Sequence, residues 1–173
     1  MARPRSFDED TALAAATDLF WARGYDGTGL AELLHAMEMR RGSLYKAWGS
    51  KMGLFLACLA DYDARHVAPG IALLRGEGEA APLSGTQRIA ALFDTHDPRG
   101  CLMCNSIAGI AALDAEVSTR IRARMDDLRD AFAHAFIHDG ADPATAAEEA
   151  EELIQRYVGM RVGQRLGNRS ATL

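Results

Sequence analysis

Residues 28–51 read Thr-Gly-Leu-Ala-Glu-Leu-Leu-His-Ala-Met-Glu-Met-Arg-Arg-Gly-Ser-Leu-Tyr-Lys-Ala-Trp-Gly-Ser-Lys, and this stretch decides the fold. Leu30, Leu33, Leu34 and Met37 stand at i, i+3, i+4 and i+7, one apolar stripe on a short helix. A tight break follows. A second short helix then offers Arg40, Arg41, Ser43 and Lys46 to solvent while Leu44 and Trp48 face inward. Two short helices about a tight turn, the second carrying basic and hydroxyl groups, predict a helix-turn-helix that places its second helix in the major groove.

Bulk charge points the other way. The 173-residue chain has a formal net charge of −5, and residues 1–64 hold seven Lys and Arg against nine Asp and Glu. Distribution reverses the inference. Between Met39 and Lys51 lie Arg40, Arg41, Lys46 and Lys51 with no acid, and Arg3 and Arg5 precede the first helix. A positive stripe on an acidic body favours phosphate contact at one place and disfavours it elsewhere.

With 49 % apolar residues the chain can bury a sizeable core. No apolar run approaches the roughly 18 residues of a membrane span, and no hydrophobic segment follows the basic N-terminus. Three cysteines do not make a disulfide framework, so the expectation is a cytoplasmic protein with reduced thiols.

Helical periodicity runs almost throughout, and the expected class is all-α, with no β-alternation and no repeats. A first helix over 7–23 places Leu13, Ala16, Leu19 and Phe20 on one face and stops at Gly24. Thr28 and Ser50 are candidate N-caps. From Ser50, Leu54, Phe55, Cys58, Leu59 and Tyr62 repeat helically. Residues 76–85 form a polar Gly/Pro loop expected to be mobile, 86–96 a short helix, and 97–100 a turn. Residues 101–112 are apolar nearly all round, predicting a buried helix. Asp114 caps a long helix striped by Val117, Ile121, Met125, Leu128, Phe132 and Phe136. Asp142 and Pro143 start a last helix running to about Leu166, before Gly167.

The N-terminal pattern resembles the TetR family of bacterial transcriptional regulators. The resemblance rests on Ala16, Phe20, Gly24-Tyr25, Thr28, Leu34, Arg41-Gly-Ser-Leu-Tyr45, the aromatic Trp48, Ser50-Lys51 and Leu54-Phe55, over roughly residues 7–60. Arg99-Gly-Cys-Leu102 with Asn105 looks like the ligand-domain helix of one branch. The resemblance implies an all-helical homodimer whose N-terminal three-helix head (1–50) binds operator DNA. A larger domain (51–173) would bind a small molecule that releases the DNA, with no cofactor and no catalysis. Three departures stand out. Glu38 occupies a turn position that usually holds Gly, predicting slight remodelling, because positive φ costs more with a side chain. Ala47 replaces the usual His or Tyr, and Lys46 is the substitute phosphate contact. The chain ends at Leu173, where relatives typically begin another dimerisation helix.

Residue roles follow. Arg40 and Arg41 can fork onto guanine or touch only phosphates. Gly42 permits close approach, Ser43 reaches base or phosphate, and Tyr45 donates to a phosphate. Lys51 adds charge to a helix N-terminus, and Thr28 does likewise or is a plain cap. For the ligand, the candidate lining is Tyr62, Phe93, Met103, Cys104, Ile107, Met125, Leu128 and Phe132, with few fixed charges, predicting a largely apolar molecule. For the dimer, Leu153, Ile154, Tyr157, Val158 and Met160 spread around more than one side of the last helix.

Other motifs weigh less. Cys101-Leu-Met-Cys104 puts two sulfurs on one helical face, which suits a redox switch, but it lacks a βαβ context and the further ligands of a zinc site. A thiol-sensing regulator is therefore the alternative function, ahead of a non-DNA-binding helical enzyme or carrier. Glu32-x-x-His35 has di-iron spacing but occurs once. The Glu148–Glu152 cluster reads as a solvated face, and His66, His96, His134 and His138 have no metal spacing.

Overall fold

A computed structural model describes residues 8–107, 109 and 114–165, so Arg3, Arg5, Leu166 and Gly167 lie outside the described residues. The elements in chain order are α1 (Glu9–Arg23), α2 (Leu30–Ala36), α3 (Arg41–Trp48), α4 (Lys51–Tyr62), α5 (Ala68–Arg75) and α6 (Gly85–Asp94). They are followed by α7 (Leu102–Ser106), α8 (Ala115–His138) and α9 (Pro143–Gln164). The fold is all-helical, with no strand among the described residues.

Local chemistry sets most boundaries. Asp8, Ser50, Asp114 and Asp142 each turn a side-chain oxygen onto a first-turn amide of the helix that follows. Pro143 occupies the first turn of α9, where a missing N–H costs nothing. Gly24 ends α1 at φ 75°. At α2 the N-cap is Gly29, not Thr28: the Gly29 amide donates to Glu32 Oε2 at 2.9 Å, the one half of a capping box that a glycine can make.

Phe20 of α1 meets Phe55 of α4 edge-on at 5.0 Å, and Tyr25 packs on both rings, which pins α1 across α4. Leu33 and Leu44, fully buried, hold α2 and α3 onto this base. Gly53 lets α4 start close beneath α3, since a Cβ there would lie 2.0 Å from the Trp48 carbonyl oxygen. Beyond Tyr62 the helix widens into a π-turn over Asp63–Val67 before α5. Arg124 of α8 donates from Nε to Asp63 at 2.9 Å beside that turn.

Helices α8 and α9 pack along each other, and α6 joins them through an aromatic triad of Phe93, Phe132 and Tyr157. Asp139, just past α8, accepts from the Gly85 and Thr86 amides at 2.6 and 2.8 Å, tying the end of α8 to the start of α6.

Three expectations are corrected. Among the described residues of the apolar run 101–112 the helix is the short α7, Ile107 is exposed and Gly109 bends; 108 and 110–113 lie outside the described residues. Ser106 donates its hydroxyl to the Leu102 carbonyl, a back-bond that weakens helix continuation. Leu153, Ile154 and Tyr157 of the expected dimer set are buried in their own subunit, and Val158 and Met160 are half-buried against the same core. The wide apolar surface of α9 is used by α8 and the segment from α6 to α7. Finally, Glu38 does not remodel its turn: it takes the left-handed conformation at φ 51°, the one side-chain-bearing residue to do so among those described.

Candidate DNA-reading surface and interior cavity

Helix α3 buries one residue, Leu44, and half-buries Trp48; Arg41, Gly42, Ser43, Tyr45, Lys46 and Ala47 are exposed, as is its N-cap Arg40. Leu44 and Trp48 anchor the inner side of the helix, and its outer face is exposed. A Cβ built on Gly42 meets nothing within 4 Å, which marks open space at the helix start. The Arg41 guanidinium sits 5.6 Å from the Tyr45 ring centroid, a contact that aligns both side chains along one face. No acid lies on this helix.

Two expected contacts are placed differently. Thr28 is buried, and its hydroxyl donates to the Gly24 carbonyl at 2.7 Å, so it serves the α1–α2 corner rather than a phosphate. Lys51 turns inward: its Nζ donates to the Tyr25 carbonyl at 2.7 Å and lies 4.2 Å from the Tyr25 ring centroid. Partial burial lowers its pKa, although Asp26 opposes the shift. The corner from Gly24 to Thr28 brought both groups inward, and no local motif announced it.

The interior holds a cavity of about 480 Å³ between α4, α5, α9 and the turn before α7. Its walls include Trp21, Tyr62, His66, Leu92, Leu128, Tyr157 and Arg161, with Asp97 and Cys101 at the turn. Of the expected lining, only Tyr62 and Leu128 face this cavity. Met103, Cys104 and Phe132 are buried in the core, Phe93 and Met125 pack on it, and Ile107 is exposed. The walls also carry more charge than the expected apolar set, through Arg65, His66, His96, Asp97 and Arg161.

Trp21 and the Arg99 turn join the cavity to α1. The indole Nε1 donates to the Gly100 carbonyl at 3.0 Å, and the Arg99 guanidinium lies 3.6 Å from the Trp21 ring centroid. Arg99 also pairs with Asp18 of α1 at 2.8 Å and with Asp97 at 2.9 Å. Gly100 has φ 74°, and a Cβ there would meet the Arg161 carbonyl oxygen at 2.2 Å, so only glycine fits this corner.

Behind the turn, Cys101 and Cys104 are buried free thiols. A hydrogen bond from the Cys104 thiol lowers the Cys101 pKa, and the same bond with burial raises that of Cys104 well above the ordinary thiol range. Burial likewise pushes Cys58 up to about 12. Burial and the neighbouring Arg99 hold His66 below the usual imidazole range. Among the described residues no three His, Cys, Asp or Glu side chains gather as a metal site would. Glu32, half of the di-iron spacing, is bound to the Gly29 amide and to Arg23. No described helix is long and apolar enough to cross a membrane.

Residues 12–58 match the family of bacterial regulatory proteins named for TetR. The chain is 33 % identical over 126 residues to the transcriptional repressor ComR of Escherichia coli, spanning 70 % of this chain and 60 % of ComR. It is 30 % identical over 140 residues to YezE, a helix-turn-helix regulator of Bacillus subtilis, spanning 79 % of this chain and 72 % of YezE. Among solved structures, a cysteine-substituted TetR family regulator, CifR, was determined in complex with a 26-base-pair operator. It superposes with a TM-score of 0.81 at 33 % identity, covering 96 % of this chain and 91 % of CifR.

Proposed function

The chain belongs to the TetR family of bacterial regulators, and we propose that it is a DNA-binding transcriptional repressor released from its operator by a small molecule. One observation carries the reading: Leu44 and Trp48 hold the inner side of α3, and the helix presents Arg40, Arg41, Ser43, Tyr45 and Lys46 on an exposed, acid-lacking face. A helix about 10–12 Å across fits the major groove, and these groups match guanine edges and phosphate oxygens. The proposal assigns DNA reading to residues 1–50, ligand binding and assembly to 51–173, and no catalytic role.

Assembly is proposed as a two-fold dimer through the outer faces of α8 and α9, where Ile137 and Val162 remain exposed. This replaces the inward-facing Leu153, Ile154 and Tyr157. Two heads then meet half-sites about 34 Å apart or a multiple of it, so the operator is near-palindromic.

Release follows from the cavity walls. Trp21 belongs to α1 and Tyr62 to α4; α3 rests on α4 and α1 packs across α4, so a ligand in the cavity touches the base of the head directly. It favours release only by binding the splayed arrangement better than the DNA-competent one. A coupling of about 1–3 kcal/mol, a 5–150-fold loss of DNA affinity, is expected, and operator must weaken the ligand by the same factor.

A second reading uses Cys101, which forms part of the cavity wall and whose thiol is made more acidic by Cys104. Peroxide would then release DNA from the wild type but not from Cys101→Ser.

The test is fluorescence anisotropy with duplexes tiled across the DNA flanking the protein's own gene. Sequence-selective binding that weakens steeply with salt is the expected result. Equal, weak binding to every duplex would exclude the repressor reading.

A further inference from the structure

The cavity contains a cation without a counter-charge. Arg161 of α9 is buried to 7 % exposure and borders the cavity. Its terminal nitrogens donate to the Thr95 carbonyl at 2.6 Å, to the Leu92 carbonyl at 3.1 Å, to Gln164 Oε1 at 3.4 Å and to the Thr95 hydroxyl. Its Nε is buried with no hydrogen-bond partner. Every acceptor it has is neutral, and it forms no ion pair among the described residues. Residues 1–7, 108, 110–113 and 166–173 contain no Asp or Glu.

The other groups at the cavity do not pair with Arg161: no hydrogen bond joins it to Cys101, whose thiol is made more acidic by Cys104, and the Tyr157 ring centroid, 4.9 Å from the guanidinium, carries no formal charge. Asp97 is the one acid in the wall, and Arg99 occupies both its oxygens, through the backbone amide and Nε on one and a terminal nitrogen on the other. Arg65, His66 and His96 add only basic groups, and the Arg65 guanidinium is already paired with Asp61. Capping the α6 C-terminus explains three of the four Arg161 donor contacts but leaves Nε without a partner and supplies no full negative charge. A buried charge needs a partner of opposite sign.

We propose that the cavity binds a small organic monoanion: a carboxylate whose apolar body lies among Trp21, Tyr62, Leu92 and Leu128 and whose head pairs with Arg161. This rests on the cavity being the ligand site of the repressor reading, and it replaces the largely apolar molecule that composition suggested. A carboxylate adds a charge-assisted bond at a guanidinium that neutral ligands leave unneutralised.

Three probes of one shape test it on the intact protein by calorimetry: 2-naphthoate, 2-naphthamide and 2-naphthylmethylamine. The acid is expected to bind at least about tenfold more tightly than the amide, the size of one charge-assisted hydrogen bond, and the amine most weakly. Arg161→Gln should erase the acid-over-amide preference, and Arg161→Lys should retain part of it. Should Arg161→Gln fail to fold, the three-probe order on the wild type decides alone. An amide that binds as well as the acid overturns the anion while leaving the cavity a ligand site. Absence of binding by all three at millimolar concentration overturns both. Acid preference undiminished in folded Arg161→Gln overturns the role of Arg161.

Discussion

The arginines of α3 and the arginines of the helical body are the same side chain in opposite situations. Arg40 and Arg41 are exposed, and apart from the Tyr45 ring near Arg41 neither has a hydrogen-bond or ion-pair partner among the described residues. Arg88 of α6 is 2 % exposed and donates to the Ala80 and Ala81 carbonyls at 3.3 Å, while Arg161 closes the end of the same helix from α9. A guanidinium left in water is available to a charged partner, and one buried against loop carbonyls, as Arg88 is, becomes part of the scaffold. The expected consequence is a division of effects: one class of substitution changes DNA affinity without stability, the other stability without intrinsic DNA affinity.

Arg88→Ala should have the largest effect. It opens a cavity and strands two loop carbonyls, so a loss of about 2–4 kcal/mol in urea unfolding is expected. DNA affinity per folded molecule should be unchanged, and a parallel loss of specific affinity would erase the division. Arg40→Ala and Arg41→Ala should each cost about 1–3 kcal/mol of operator binding if they read a base. A phosphate contact would instead lower affinity evenly over sequences and flatten the salt slope. In both variants the unfolding midpoint should stay within about 0.5 kcal/mol of wild type, as measured by circular dichroism.

Glu38→Gly sharpens the comparison at the turn between α2 and α3. The left-handed backbone strains a side-chain-bearing residue, and glycine removes that strain at some cost in unfolded-state entropy, for a net gain of about 0.5–1 kcal/mol. Thermal unfolding measures it, and a loss would show that Glu38 has a stabilising role of its own.

The smallest effect at neutral pH concerns Asp139. Its carboxylate accepts from the Gly85 and Thr86 amides and the Thr86 hydroxyl, chiefly the Thr86 backbone bond, which holds its pKa well below the usual carboxylate range. Since the folded pKa lies below the unfolded value near 3.9, the tie contributes fully above about pH 4 and is lost as pH falls through the folded value. Acid titration should therefore separate wild type from Asp139→Asn above pH 4 and bring them together in strong acid. A constant gap at all pH values would mean that the charge is irrelevant.

What the sequence determined by itself is local. The turn about Glu38, the free basic face of α3, the caps at Ser50, Asp114 and Asp142, and the stop at Gly24 all depend on residues within a few positions of one another. Periodicity and side-chain-to-amide reach are written at that range. The tertiary structure decided whatever depends on a distant partner. Thr28 and Lys51 turned inward because Gly24 and Tyr25 offered carbonyls at the corner of the head. Leu153, Ile154 and Tyr157 went into the core because α8 and α6 stand beside α9, and no periodicity distinguishes a neighbour in the same chain from a second copy. Trp21 and Arg161, 140 positions apart in sequence numbering, came to wall one cavity. An apolar stripe states that a face must be buried, but only packing chooses against what, and only packing leaves Arg161 Nε without an acceptor.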